Sequence, residues 1–151
     1  MIRNFCPDDL PQLMQIWLNG NLQAHSFIPA EYWTGHFNLV KELLPKAELL
    51  VYENEETHAV EGFLGLTGEE IAGLFVAESA RSKGVGAQLL AQARVRRASL
   101  TLHVYQANTR ALHFYFKQGF QIETETVDED TGEQEFIMFW KSKPVLSDFP
   151  K

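Results

Sequence analysis

The sequence predicts an α+β domain built on a single mixed sheet. The apolar residues change period along the chain, from the three-and-four spacing of helices to the alternation or short runs of strands. One strand–helix–strand unit, Ile71 to Tyr105, is long enough for a right-handed crossover between parallel strands. No repeat, low-complexity tract or Pro/Gly/Ser-rich linker divides the 151 residues, so one domain is expected over 1–143, followed by a loose tail over 144–151. The expected order is β-α-α-β-β-β-α-β-α-β-β.

Each element has a local reason. Met1–Asn4 reads as a short strand, and Cys6-Pro-Asp-Asp as a helix entrance with Asp8 as N-cap. Leu10, Leu13, Met14, Trp17 and Leu18 then form an amphipathic stripe, with Gly20 as its expected stop. Pro29 opens a second helix carrying Tyr32, Trp33, Phe37, Val40 and Leu44, and Pro45 ends it. Glu48–Tyr52, Val60–Leu66 and Ile71–Val76 read as three strands in meander. Gly84–Arg97 is helical, with Val85, Leu89, Leu90, Ala93 and the stem of Arg97 on one face. Leu100–Tyr105 alternates as a strand. Thr109–Gln118 is a helix between an N-cap at Asn108 and a C′ glycine at 119. Gln121–Val127 and Gln134–Trp140 form a hairpin.

Composition narrows the function classes. Thirteen basic residues against 20 acidic ones give a net charge of −7, which opposes nonspecific binding to nucleic acid or anionic membranes. A single cysteine, Cys6, excludes an intramolecular disulfide and a cysteine-based zinc site. No window approaches ~18 apolar residues, and Asp8, Asp9 and two prolines interrupt the start, so a cytoplasmic protein is expected. The histidines show no short ligand spacing and Asp128-Glu129-Asp130 reads as a solvated turn, so no metal is expected. Cys6 has no histidine neighbour in sequence and reads as a small apolar residue rather than a nucleophile. The charge is also unevenly placed. Arg81 to Arg97 holds five basic residues and no acid, whereas Gln121 to Glu135 holds seven acids and no Lys or Arg.

The strongest motif is Arg81-Ser-Lys-Gly-Val-Gly, between a strand and a helix. Gly84 and Gly86 allow close backbone approach, and the first-turn N–H groups and dipole of the helix favour an anion such as a pyrophosphate. Two rival phosphate motifs fail: a Walker loop lacks its Gly-Lys-Ser/Thr ending, and a dinucleotide fingerprint would need glycine where Leu89 stands. One strand later comes Asn108-Thr-Arg-Ala-Leu-His-Phe-Tyr-Phe-Lys-Gln-Gly-Phe.

With both segments in place, the chain resembles the GNAT superfamily of N-acetyltransferases over nearly its whole length. Arg81, Gly84 and Gly86 match that family's pyrophosphate turn, and Asn108, Ala111, Phe114, Tyr115, Gly119 and Phe120 match its second motif. His25-Ser-Phe-Ile, Glu31-Tyr-Trp and Leu102–Asn108 look like small bacterial members. The resemblance implies a mostly antiparallel sheet flanked by helices, acetyl-CoA as co-substrate, and a primary amine that attacks the thioester directly in a ternary complex.

It also implies roles by position. The backbone of Leu74, Phe75 and Val76 would bind the pantetheine arm. Arg81, Ser82, Lys83, Gly84, Val85, Gly86 and Ala87 would cradle the pyrophosphate, and Asn108 would contact the coenzyme. Tyr115 would protonate the leaving thiolate, which suits a phenol whose ordinary pKa is ~10. Freeing a lysine-like amine of its proton at pH 7 costs ~4.6 kcal/mol, so a base is useful. Glu70, eleven residues before Arg81, stands where histone-type members carry a glutamate. His103 stands where ribosomal-protein-type members do, and water relays are a third route. His25, Phe27 and Tyr32 are expected to shape the acceptor pocket with Trp33. The expected partners are acetyl-CoA and an amine acceptor, with the chain a monomer or homodimer. A noncatalytic acyl-CoA-binding module of the same fold is the alternative function, and a nucleotide phosphate binder using the same glycine turn is a third.

Overall fold

The computed structural model describes residues 1–143, so the expected tail over 144–151 lies outside the described residues. The chain runs β1 (Ile2–Asn4), α1 (Leu10–Ala24), α2 (Ala30–Leu43), β2 (Glu48–Glu53), β3 (Val60–Thr67), β4 (Glu70–Val76), α3 (Val85–Arg96), β5 (Ser99–Tyr105), α4 (Thr109–Lys117), β6 (Gln121–Val127) and β7 (Gln134–Lys141). This is the element order the sequence predicts. All seven strands join one sheet in the order β1-β2-β3-β4-β5-β7-β6. Every neighbouring pair is antiparallel except β4 and β5.

Each face of the sheet buries its own core. Leu100, Leu102 and Val104 of β5 point to the α3–α4 side, where they join Leu89, Leu90, Leu112, Tyr115 and Phe120. Tyr105 points to the other side, with Leu13, Met14, Trp17, Trp33 and Phe63 under α1 and α2. Strand alternation places His103 on the same face as Tyr105.

Two boundaries differ from expectation. Helix α1 does not stop at Gly20 but continues to Ala24. Gly20 serves close packing instead: a Cβ there would lie 3.2 Å from the ring of Phe75. At the other end, Asp8 is no N-cap. A 3-10 turn over Pro7–Asp9 precedes α1, and the buried Asp9 carboxylate accepts the Cys6 N–H at 2.8 Å and two Arg3 guanidinium hydrogen bonds at 2.8 and 2.9 Å. This pins β1 to the helix entrance.

The basic run also resolves into parts. Arg97 lies just past α3 and donates to the Gly68 carbonyl and to Glu48, which Arg96 also contacts at 2.7 Å. Arg94 donates to the Gln118 carbonyl at 2.7 Å and to its side-chain oxygen at 2.8 Å while lying over Trp140, tying α3 to the end of α4. Three of the five cations are thereby engaged in holding the scaffold together.

Candidate active site

The two parallel strands at the centre of the sheet barely pair. Glu70↔Thr101 is their one registered pair, supported by the Thr101 N–H to Glu69 carbonyl bond at 2.9 Å. Beyond it they separate, leaving the β5-facing side of Leu74, Phe75 and Val76 along an open seam. A bulge sharpens the opening. Against β3, Gly65 faces Gly73 but Leu66 faces Ile71, so Ala72 is an extra residue in β4. Bulges bend a strand and re-aim its backbone groups. As a result Leu74 and Val76 pack toward the α3–α4 core and Phe75 toward the α1–α2 core. Phe75 stacks on Phe63 with ring centroids 5.4 Å apart, and two glycines make room for it: a Cβ at Gly73 would lie 2.6 Å from its ring.

The glycine turn sits at the C-terminal end of β4. Ser82 and Gly84 both have left-handed backbone, φ 68° and 79°, and Gly84 is the N-cap of α3. No side chain caps this end of α3, which leaves first-turn N–H groups of the kind that suit phosphate oxygens. Val85 is buried against Gly62, where any Cβ would meet Val85 at 2.9 Å. Gly86 approaches Val76 and Phe114 at ordinary contact distance, and Ala87 is half-buried. Among the described residues neither Arg81 nor Lys83 is in an ion pair, so the cationic charge of the turn is not internally neutralised. Arg81 also lines a small pocket of about 100 Å³ with Gln15, Asn19 and Gly20 of α1.

Tyr115 lies in α4 on the α3–α4 side of the seam, buried and edge-on to Phe114 and Phe120 at 5.2 and 5.5 Å. Burial disfavours its phenolate and raises its pKa well above the ordinary value. It therefore stays protonated across the neutral range.

The two base candidates meet on the opposite face. His103 Nε2 is 4.0 Å from Glu70 Oε1, and His103 Nδ1 is 3.4 Å from Glu135 Oε1. Pairing of β4, β5 and β7 produces this row, since Glu70 faces Thr101 and His103 faces Ile137. Glu135 was not singled out from the sequence. It reads there as one more acid in a charged stretch, and only the register of β5 with β7 brings it beside His103.

A third group closes the same face from above. His25, just past α1, stacks on Trp33 with centroids 5.3 Å apart and meets Tyr105 and Phe27 edge-on at 4.9 and 5.7 Å. Its ring nitrogens contact Asn21 and Asn108. Desolvation depresses its pKa to about 4. The Tyr105 hydroxyl donates to Asp128 at 2.5 Å. Burial opposes the charge on Asp128, but that bond and the Asp130 N–H outweigh it and hold the carboxyl below its ordinary pKa. Tyr32 is raised above the ordinary phenol value by burial and by Asp128 and Asp130. The acidic β6–β7 turn and the aromatic α1–α2 loop therefore lie side by side. The sequence alone does not single out Tyr105 or Asn21. Trp17, Asn21 and His25 fall at successive i, i+4 positions on the apolar stripe of α1, a detectable signal for a buried polar pair.

A seven-stranded sheet opened between parallel β4 and β5, with a glycine turn at the mouth of the opening, defines an acetyltransferase scaffold. The family model described as "Acetyltransferase (GNAT) domain" matches residues 45–122, and the chain belongs to that family as an N-acetyltransferase. It is 34% identical over 142 residues to peptidyl-lysine N-acetyltransferase YiaC of Escherichia coli strain K12, covering 93% of this chain and 96% of that one. To peptidyl-lysine N-acetyltransferase YjaB of the same strain it is 34% identical, covering 87% and 88%. The solution structure of apo-form YjaB from Escherichia coli superposes with a TM-score of 0.84 at 30% identity, covering 95% of this chain and 98% of that one. No helix among the described residues is long and apolar enough to cross a membrane.

Proposed function

We propose that this chain transfers the acetyl group of acetyl-CoA to the side-chain amine of a lysine in a protein or peptide, within a ternary complex and in the cytoplasm. The observation that best supports this reading is the open seam between parallel β4 and β5, with Tyr115 in the α3–α4 core and Glu70 and His103 4.0 Å apart on the α1–α2 side. The curated relatives, both named peptidyl-lysine N-acetyltransferases, supply the acceptor class.

The residues present fit the coenzyme. The left-handed Ser82 and Gly84, the helix N-terminus, and Arg81 and Lys83, which make no ion pair among the described residues, would form an anion cradle. The seam beside Leu74, Phe75 and Val76 offers strand edge to an extended arm carrying amide groups. Bound acetyl-CoA supplies an activated acyl group as its thioester. Backbone N–H groups of β4, re-aimed by the bulge at Ala72, stabilise charge that develops on the carbonyl oxygen. The acceptor enters over Phe27, Tyr32 and Tyr105, toward Glu70 and His103. As the amine nitrogen bonds to the acyl carbon, Glu70 or His103 receives the amine proton, directly or through water. The Tyr115 hydroxyl gives its proton to sulfur as the C–S bond breaks, and solvent restores it.

Thiol release with lysine peptides tests this. Wild type should release one thiol per acetylated lysine, and Glu70→Gln and His103→Asn assayed separately assign the base. Tight acetyl-CoA binding without turnover on any peptide or small amine would instead support a noncatalytic acyl-CoA-binding module.

A further inference from the structure

We infer that His25 is a positioning residue: as a neutral imidazole carrying its proton on Nδ1, it connects α1 to the N-cap of α4, the helix that carries Tyr115. This rests on the acetyltransferase reading for its catalytic consequence, but the geometry stands by itself.

The hydrogen bonds fix every proton in the chain. The Asn21 Nδ2 group donates to the Trp17 carbonyl at 2.9 Å, which leaves Asn21 Oδ1 facing His25 Nδ1 at 3.0 Å. A carbonyl oxygen only accepts, so Nδ1 carries the hydrogen. At the other end, Asn108 Oδ1 accepts the Ala111 N–H at 3.2 Å as the N-cap of α4. Its Nδ2 group therefore faces His25 Nε2, 3.2 Å away, and Nε2 must be the bare acceptor. Two backbone groups, one in α1 and one in α4, thus dictate the tautomer of a ring between them.

A proton added to Nε2 would confront the Asn108 N–H. Rotating the Asn108 amide would relieve that contact only by aiming its NH₂ at the Ala111 N–H and uncapping α4. Around the ring stand Trp33 of α2, Phe27, and Tyr105 of β5, whose hydroxyl is turned to Asp128. Among the described residues no carboxylate pairs with His25. The imidazole has no counter-charge to favour its cation and two fixed partners that require its neutral form. The consequence for the reaction is mechanical. Asn108 begins the helix on which Tyr115 sits seven residues later, so a loosened cap shifts the proton donor relative to the seam.

Three measurements decide the matter. In wild-type protein, long-range proton–nitrogen spectra should show His25 as the Nδ1–H tautomer at pH 7 and still neutral at pH 5, where a free imidazole is largely protonated. His25→Phe keeps an aromatic ring on Trp33 but removes both hydrogen bonds. It should speed hydrogen exchange at the Ala111 amide about tenfold and lower kcat about tenfold. His25→Gln, able to accept from Asn108, should recover part of kcat. An Nε2–H tautomer, titration near the free imidazole value, or wild-type kcat in His25→Phe would each overturn the inference. If wild type turns over no acceptor, the acetyltransferase reading fails, while the tautomer and exchange measurements still decide the positioning claim.

Discussion

At the scale of single residues, burial sets the protonation states of Tyr115 and His25. Tyr115 is kept a phenol because its anion would lie in an apolar core, and the proposed proton transfer to sulfur requires that protonated form. Tyr115→Phe should therefore lower kcat by about 10²-fold or more while leaving the acetyl-CoA Kd nearly unchanged, as steady-state kinetics and calorimetry would show. Equal losses in both would mark Tyr115 as packing. His25 carries a stability consequence of definite sign. Its folded pKa of about 4 lies below the ordinary 6.5, so between those values the unfolded chain binds more protons than the folded one. Stability contributed by neutral His25 is complete above pH 6.5 and is lost as pH falls toward 4, by roughly 3 kcal/mol at most. Urea midpoints should fall across that window, and His25→Phe, less stable at pH 7, should show a flatter dependence. Asp9, depressed chiefly by its hydrogen bonds from Arg3, acts in the same direction but only at more acid pH.

At the scale of elements, glycines decide where strands and helices may approach. Gly84 must adopt φ 79°, which costs any other L-residue about 1–2 kcal/mol. Gly84→Ala should weaken acetyl-CoA binding about tenfold in calorimetry, because relief of the strain turns the first α3 amides away from the ligand. Gly73→Ala should destabilise by about 1–3 kcal/mol in urea, since the Phe75 ring it would strike is already confined by Phe63 and Gly20. These two positions also show what the sequence makes legible. Gly84 stands out because a basic, glycine-rich turn before a helix has a local chemical signature. Gly20 reads as a helix stop because glycine is a poor helix former, yet tertiary contact with Phe75, 55 positions away, keeps α1 going. The bulge at Ala72 leaves no trace in β4 alone, because it is a property of registry with β3.

At the scale of the whole molecule, the net charge of −7 hides a cationic turn at Arg81–Lys83 and an acidic β6–β7 turn, proposed to meet the phosphates and the acceptor respectively. Arg94, Arg96 and Arg97 belong to neither, being committed to Gln118 and Glu48. Asp128 is tied to Tyr105, so the steering charges open to test are the exposed Glu129 and Asp130. Converting both to amides should raise the Michaelis constant for a lysine peptide several-fold at low salt, a difference that shrinks as salt increases. The element order and parallel crossover were readable because periodicity and caps are local. The Glu70–His103–Glu135 row and the Asn21–His25–Asn108 chain were not, because each joins residues that only sheet register or helix packing brings together. The most direct test of the central claim follows acetyl-CoA consumption with a lysine peptide in wild type and Tyr115→Phe, alongside coenzyme binding to each. Wild type should give acetylated lysine with equimolar thiol, and the variant near loss of both despite preserved binding. Binding by wild type with no acetylated product from any amine would contradict that claim.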